Sequence, residues 1–141
     1  MPRYLCFGIT ERLDSKGNEL IPLDEKSVVH SAEQLKKEAV EAIAICFLHS
    51  FLNPDHEQKC REIIKGVYPK AVISISSDVA PEFREYFRAS TTVINAGIQP
   101  VVEKYLSKIE SKLNEIGFKG ESLIICLLYT SPSPRDGLLS R

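Results

Sequence analysis

The chain has 141 residues, 43% of them hydrophobic, and balances 18 Lys and Arg against 19 Asp and Glu for a net charge of −1. That near-neutral balance carries no electrostatic footprint for nucleic acid, and no apolar run reaches the roughly 18 residues that a membrane-spanning helix requires. The length suits one modest domain, and Met1-Pro2-Arg3 leads into no apolar core, so no signal peptide is expected.

Taken in order, Tyr4 to Arg12 reads as a strand, with Leu5, Phe7 and Ile9 on one face. Asp14-Ser15-Lys16-Gly17-Asn18 is turn chemistry, and Glu19-Leu20-Ile21-Pro22 returns as the second arm of a hairpin. Asp24 is an N-cap for a helix to about Glu38 whose buried stripe is Val28, Ala32, Leu35 and Ala39. His30, within that helix, reads as a surface or boundary histidine. Ala42 to Leu48 is a continuous apolar run that predicts a strand buried on both faces, with Cys46 as a small core residue. Asn53 as N-cap, Pro54 at the first helical position and the acidic Asp55 and Glu57 in the first turn start a second helix. It carries Cys60, Ile63, Ile64 and Val67 at helical spacing and is closed by Pro69. Ala71 to Ser76 is a second strand. The strand–helix–strand succession predicts a parallel pair, hence an α/β fold.

The stretch SSDVAPEFREYFRASTTVINAGIQP, from Ser76 to Pro100, is unlike either neighbour. Pro81 is expected to end the preceding strand. Glu82, Arg84, Glu85 and Arg88 then alternate with Phe83, Tyr86 and Phe87, placing charge and aromatic carbon on every face. One reading is an amphipathic helix with intrahelical ion pairs. The other is a segment wedged between two lobes of a larger protein, with charges turned toward a ligand or partner. A helix is predicted again from Thr91, interrupted or restarted at Pro100, with a stripe of Val102, Tyr105, Leu106, Ile109, Leu113 and Ile116 that stops at Gly117. Ser122 to Ile125 opens a further strand.

The block PEFREYFRASTTVINAGIQP resembles the hydantoinase A / 5-oxoprolinase family, which includes acetone and acetophenone carboxylase subunits. Upstream, FGITERLDSKGNELIPLDE and AIAICFLHSFLNPDHE resemble two further blocks of that family in the same order. The resemblance covers about Arg3 to Ile125. It departs at Phe87, where the family pattern carries an acidic residue. It implies a fragment of an actin-like ATPase (ribonuclease H-like) architecture, with residues 1–90 from the end of the N-terminal domain and 91–125 from the start of the following hydantoinase A domain. It also implies ATP-dependent opening of a cyclic amide such as 5-oxoproline or hydantoin, or carboxylation of a ketone, after phosphorylation activates a carbonyl or enolate. ATP and magnesium would be the cofactors and a hydantoinase B-like subunit or domain the partner, in an oligomer when full length. The family's phosphate-binding hairpin, rich in Asp, Gly and Thr, is expected to precede this stretch, so the isolated fragment is expected to be inactive. A small α/β binding or interface module is the competing reading.

Cys126 to Arg141 is read as non-native. CLLYTSPSPRD resembles the translation of a transposase-based sequencing adapter. Setting aside Arg135, Arg141 and Asp136 leaves 16 basic and 18 acidic residues, a net charge of −2. The remaining Cys6, Cys46 and Cys60 form no paired spacing, which predicts a reducing, cytoplasmic compartment.

Ligands of open α/β sheets bind beyond the carboxyl ends of the strands, which singles out the loop from His49 to His56. His49, His56 and Cys60 are candidate metal ligands by spacing. The local alternative is that His56 helps start the helix, Cys60 is core and His49 is hydrogen-bonded nearby, and no closed metal pattern occurs. In the wedge, Glu82, Arg84, Glu85 and Arg88 suit a carboxylate, amide or phosphate, with Thr91, Thr92 and Asn95 as hydrogen-bond donors. The same residues equally suit interdomain ion pairs. No nucleophile–base arrangement stands out.

Overall fold

The computed structural model describes residues 2–120, so the expected strand at Ser122–Ile125 and the tail at Cys126–Arg141 lie outside the described residues. The chain forms two compact units, Met1–Tyr105 and Leu106–Arg141. In the first, a single 3-10 turn at Arg3–Leu5 is followed by β1 (Arg12–Leu13), β2 (Glu19–Ile21), α1 (Glu25–Lys37) and β3 (Ala42–Ile45). Then come α2 (Asp55–Val67), β4 (Val72–Ile75), the short α3 (Ser76–Val79) and α4 (Glu85–Glu115), which runs on into the second unit.

The hairpin forms by the chemistry of its turn. Asp14 Oδ1 accepts from the Lys16 and Asn18 amides at 2.8 Å, and Gly17 takes φ +83°, a value open to glycine at no steric cost. β1 and β2 pair antiparallel, Arg12 opposite Ile21 and Leu13 opposite Glu19, with a bulge between. The expected strand from Tyr4 does not form. Residues 3–5 curl into the 3-10 turn, closed by Cys6 N–H on the Arg3 carbonyl, and residues 6–11 have no ladder partner among the described residues, with the Thr10 carbonyl accepting from Asp24 N–H. A strand needs a neighbour to bond to.

Asp24 caps α1 through Oδ1 on the Lys26 amide at 3.1 Å, and Val28, Ala32 and Leu35 are buried along one stripe. Ala39 does not extend that stripe. It lies beyond the helix with φ +51° and is exposed. His30 is exposed, as its position predicted. β3 and β4 pair in parallel over Ala42–Ile45 and Val72–Ile75, and Ile43, Ile45 and Ile75 meet Val28, Ala32, Leu35, Cys60 and Ile64 in the core.

β3 is shorter than the apolar run that encodes it. It ends at Ile45, and its side chains alternate between buried and half-buried, so it is not covered on both faces. Cys46 is half-buried rather than core, because the chain turns after Ile45 to bring the Phe47 amide to Glu57. The next helix opens one residue later than expected, at Asp55, so Pro54 and not Asn53 holds the N-cap position, while Asn53 Oδ1 accepts the Asp55 N–H at 3.0 Å from the residue before it.

Pro81 is not what ends β4. The strand stops at Ile75 because Ser76 and Ser77 turn into α3 to bond Glu57. α4 begins at Glu85, six residues before the expected Thr91, and runs through Pro100 without a break. Proline there leaves the Ala96 carbonyl without its usual donor, and the turns on both sides carry the helix across. In the second unit α4 ends at Glu115 in a Schellman arrangement: Phe118 N–H donates to Leu113 O at 2.9 Å, Gly117 N–H to Asn114 O at 3.0 Å, and Gly117 takes φ +76°. Of the apolar stripe on this helix, Val102, Tyr105 and Ile116 are exposed. No helix among the described residues is long and apolar enough to cross a membrane.

Candidate functional site

The parallel strands β3 and β4 both point their carboxyl ends at one polar cluster. Glu57, on the buried stripe of α2 with Cys60 and Ile64, is fully buried. An ionised carboxylate only accepts hydrogen bonds, and this one accepts three: Phe47 N–H at 2.8 Å, Ser76 O–H at 2.6 Å and Ser77 N–H at 2.8 Å. Arg88, 1% exposed, reaches in from the first turns of α4. Its Nε donates to Ser76 Oγ at 3.1 Å, Nη1 to the Glu82 carbonyl at 2.8 Å and Nη2 to the Phe47 carbonyl at 2.7 Å. The buried Ser50 Oγ lies 3.0 Å from Ser76 Oγ and donates to the Phe47 carbonyl.

Burying a lone charge costs several kcal/mol, and opposite charges bridged by hydrogen bonds offset that cost. The Ser76 hydroxyl is the bridge here: it gives its proton to Glu57 and accepts from Arg88. The cluster therefore ties four places together: the loop after β3, the first turn of α2, the β4–α3 junction and the start of α4. Over its edge, Arg88 stacks 5.6 Å from the centre of the Phe51 ring, which meets Phe83 edge-on at 5.7 Å.

The residues singled out in the wedge separate. Arg88 is the centre of the cluster, and Asn95, though exposed, donates its amide to Ser74 Oγ at 3.0 Å. Thr92 is buried and donates to the Arg88 carbonyl. Glu82 contributes only its carbonyl. Glu82, Arg84, Glu85 and Thr91 have exposed side chains, with Arg84 5.9 Å over the Phe87 ring. Glu57, Ser50 and Ser76 were not singled out by sequence reasoning. For Glu57 a signal existed: it sits three and seven residues before Cys60 and Ile64, on the face that the apolar residues mark as buried.

A second cluster involves His56, which is 6% exposed. Its Nδ1 lies 2.9 Å from Glu11 and its Nε2 2.9 Å from Glu19, joining the hairpin to the start of α2. Burial works against the imidazolium, but the hydrogen bonds and charges of Glu11 and Glu19 outweigh it and raise the His56 pKa above its ordinary value. His49 is elsewhere, half-buried with φ +58° and its ring tilted toward Phe51. Cys60 is a core thiol whose pKa burial, helped by Glu57, pushes up to about 12. Among the described residues no three His, Cys, Asp or Glu side chains are grouped to hold a metal ion.

The His56 pair predicts a pH dependence. A raised folded pKa gives stability that is complete below the unfolded value, about 6.5, and is lost as pH rises through the folded value. Urea midpoints of the wild-type chain should therefore fall from that point upward, and His56→Gln should remove that part of the slope. Equal slopes in the two proteins would refute the latch.

The fold and the cluster define an α/β unit with a polar clamp beyond its parallel strand ends. Residues 1–68 match the hydantoinase/oxoprolinase N-terminal region, and the chain belongs to the hydantoinase/oxoprolinase family. It is 36% identical over 117 residues to the caprolactamase subunit alpha of Pseudomonas jessenii, covering 83% of this chain and 17% of that protein. The crystal structure of ATP-dependent caprolactamase from the same organism superposes with a TM-score of 0.80 at 35% identity, over 85% of this chain and 17% of that one. The nucleotide-free acetone carboxylase structure gives 0.75 at 33% identity, over 84% and 17%. This chain thus spans less than a fifth of the length of each.

The clamp itself does not fit a nucleotide. Each nitrogen of Arg88 already donates to an oxygen of this chain, and no glycine-rich phosphate loop occurs in the sequence. Its hydrogen bonds hold the Phe47 backbone of the loop after β3 from both sides.

Proposed function

We propose that this chain is part of a longer ATP-dependent enzyme that opens a cyclic amide ring, of the hydantoinase or 5-oxoprolinase type. The observation that supports this reading is the likeness to ATP-dependent caprolactamase, at 35% identity and a TM-score of 0.80 over most of the chain. In this reading the chain carries the end of the N-terminal domain and the start of the next, within an actin-like ATPase architecture that operates in the cytoplasm with ATP and magnesium. Arg88 and Asn95 anchor α4 to the sheet, while Glu82, Arg84, Glu85 and Thr91 face a substrate or a neighbouring domain. A hydantoinase B-like subunit or domain completes the active site. The likeness to acetone carboxylase, with a TM-score of 0.75, favours ketone carboxylation as the second reading.

The test is ATP hydrolysis by the complete polypeptide with its partner subunit, given 5-oxoproline, hydantoin, or acetone with bicarbonate. Phosphate release that requires a cyclic amide supports the first reading, whereas release that requires acetone and bicarbonate supports the second. The 141-residue chain alone is expected to release none. Magnesium-dependent ATP turnover by the purified chain would overturn that expectation.

A further inference from the structure

A groove of about 420 Å³ runs along β3. It touches every residue of β3, from Ala42 to Ile45, and none of β4. It therefore follows the edge of β3 that faces away from β4. Its opposite wall is the extended N-terminal segment, through Leu5, Phe7 and Ile9, and its floor is apolar, through Val28, Leu35 and Ile64.

The backbone of both walls has bonding capacity left. Val72 N–H donates to the Glu41 carbonyl, and in a parallel ladder alternate residues turn the same way. Residues 41, 43 and 45 therefore point their backbone groups at β4. Ala42 and Ala44 point theirs into the groove, where no described residue bonds them. Phe7, Gly8 and Ile9 likewise make no backbone hydrogen bond to a described residue. Unpaired strand backbone beside an apolar floor is a template for another strand. A small apolar ligand would fill the space but leave those donors and acceptors unmet.

We propose that this groove is a slot for one β-strand, which pairs with β3 on one side and with Phe7–Ile9 on the other. The occupant is an apolar, uncharged strand of four or five residues, about 13 to 17 Å long, from the polypeptide that precedes residue 2 in the longer enzyme. Strands adjacent in sequence tend to pair in space, and this chain spans under a fifth of its relatives' length. The proposal rests on the reading that the chain is part of a longer enzyme. It explains why residues 6–11, strand-like in sequence, have no ladder.

The experiment compares the 141-residue chain with the complete polypeptide by peptide-resolved hydrogen exchange and iodoacetamide labelling. Cys6 and Cys46 line the two walls, and Cys60, in the groove's floor but only 2% exposed and with its thiol pKa pushed up to about 12, should stay unlabelled in both proteins. In the complete polypeptide, exchange over residues 42–46 is expected to slow by about a hundredfold and labelling of Cys6 and Cys46 by roughly tenfold. The Asp14–Asn18 turn should exchange alike in both. Equal rates at 42–46 in the two proteins would overturn the proposal, as would a stop codon closely upstream of Met1. Protection in the short chain that grows with its concentration would assign the slot to a second copy and overturn it too. None of these readouts depends on ATP or substrate, so the slot and the proposed activity can fail separately.

Discussion

Replacing Arg88 with alanine is expected to destabilise the chain by about 3 to 5 kcal/mol, because it leaves the buried Glu57 without a compensating cation. A domain of this size holds only about 5 to 15 kcal/mol in total, so Arg88→Ala should lose a large fraction of the chain's stability. The loss has three parts. The Phe47 and Glu82 carbonyls lose charged donors, Ser76 Oγ loses its guanidinium partner, and α4 loses its tie to the sheet. Arg84→Ala, four residues away just before the same helix but exposed, should cost less than about 0.5 kcal/mol. Urea unfolding of the two variants side by side decides the matter. If they cost the same, the clamp is not what holds this corner together. Arg88→Lys should recover only part of the loss, since an ammonium cannot span Ser76, Phe47 and Glu82 as the planar guanidinium does.

The second large effect is expected at Ile75. It is 1% exposed in β4 and packs in the core with Ile43 and Ile45. Ile75→Ala removes three carbons from a site that cannot collapse around the loss, and should cost about 2 to 5 kcal/mol. Ile94, equally apolar but 61% exposed on α4, should tolerate alanine with a change within about 0.5 kcal/mol. A thermal or urea midpoint for each variant tests this. An Ile94→Ala loss as large as that of Ile75→Ala would mean that the exposed face of α4 is covered in solution.

These pairs show where sequence reasoning succeeds and where it stops. Asp24, Gly17, Asn53 and Gly117 act on atoms within five residues of themselves, so each turn and cap was legible from local chemistry. The parallel pairing of β3 with β4 was legible as well, from apolar runs on either side of a capped helix. The bounds of the strands were not. β3 ends at Ile45 because Phe47 N–H is taken by a carboxylate ten residues on, and of the run from Tyr4 only Arg12 joins a strand, because none of the described residues pairs with residues 4–11.

The candidate site divides along the same line. Residue types and spacing were enough to single out Arg88, Asn95 and the loop beyond β3, and three ordered sequence blocks were enough for the family. Which of the wedge charges is buried was beyond them, since Glu82, Arg84, Glu85 and Arg88 differ little in their neighbours along the chain. Only the tertiary structure brings Glu57, Ser50 and Ser76 to Arg88 and sets Glu11 and Glu19 on either side of His56. The physical reason is distance along the chain. Caps and turns are satisfied by neighbours in sequence, whereas the partner of a buried charge is chosen by how whole elements pack.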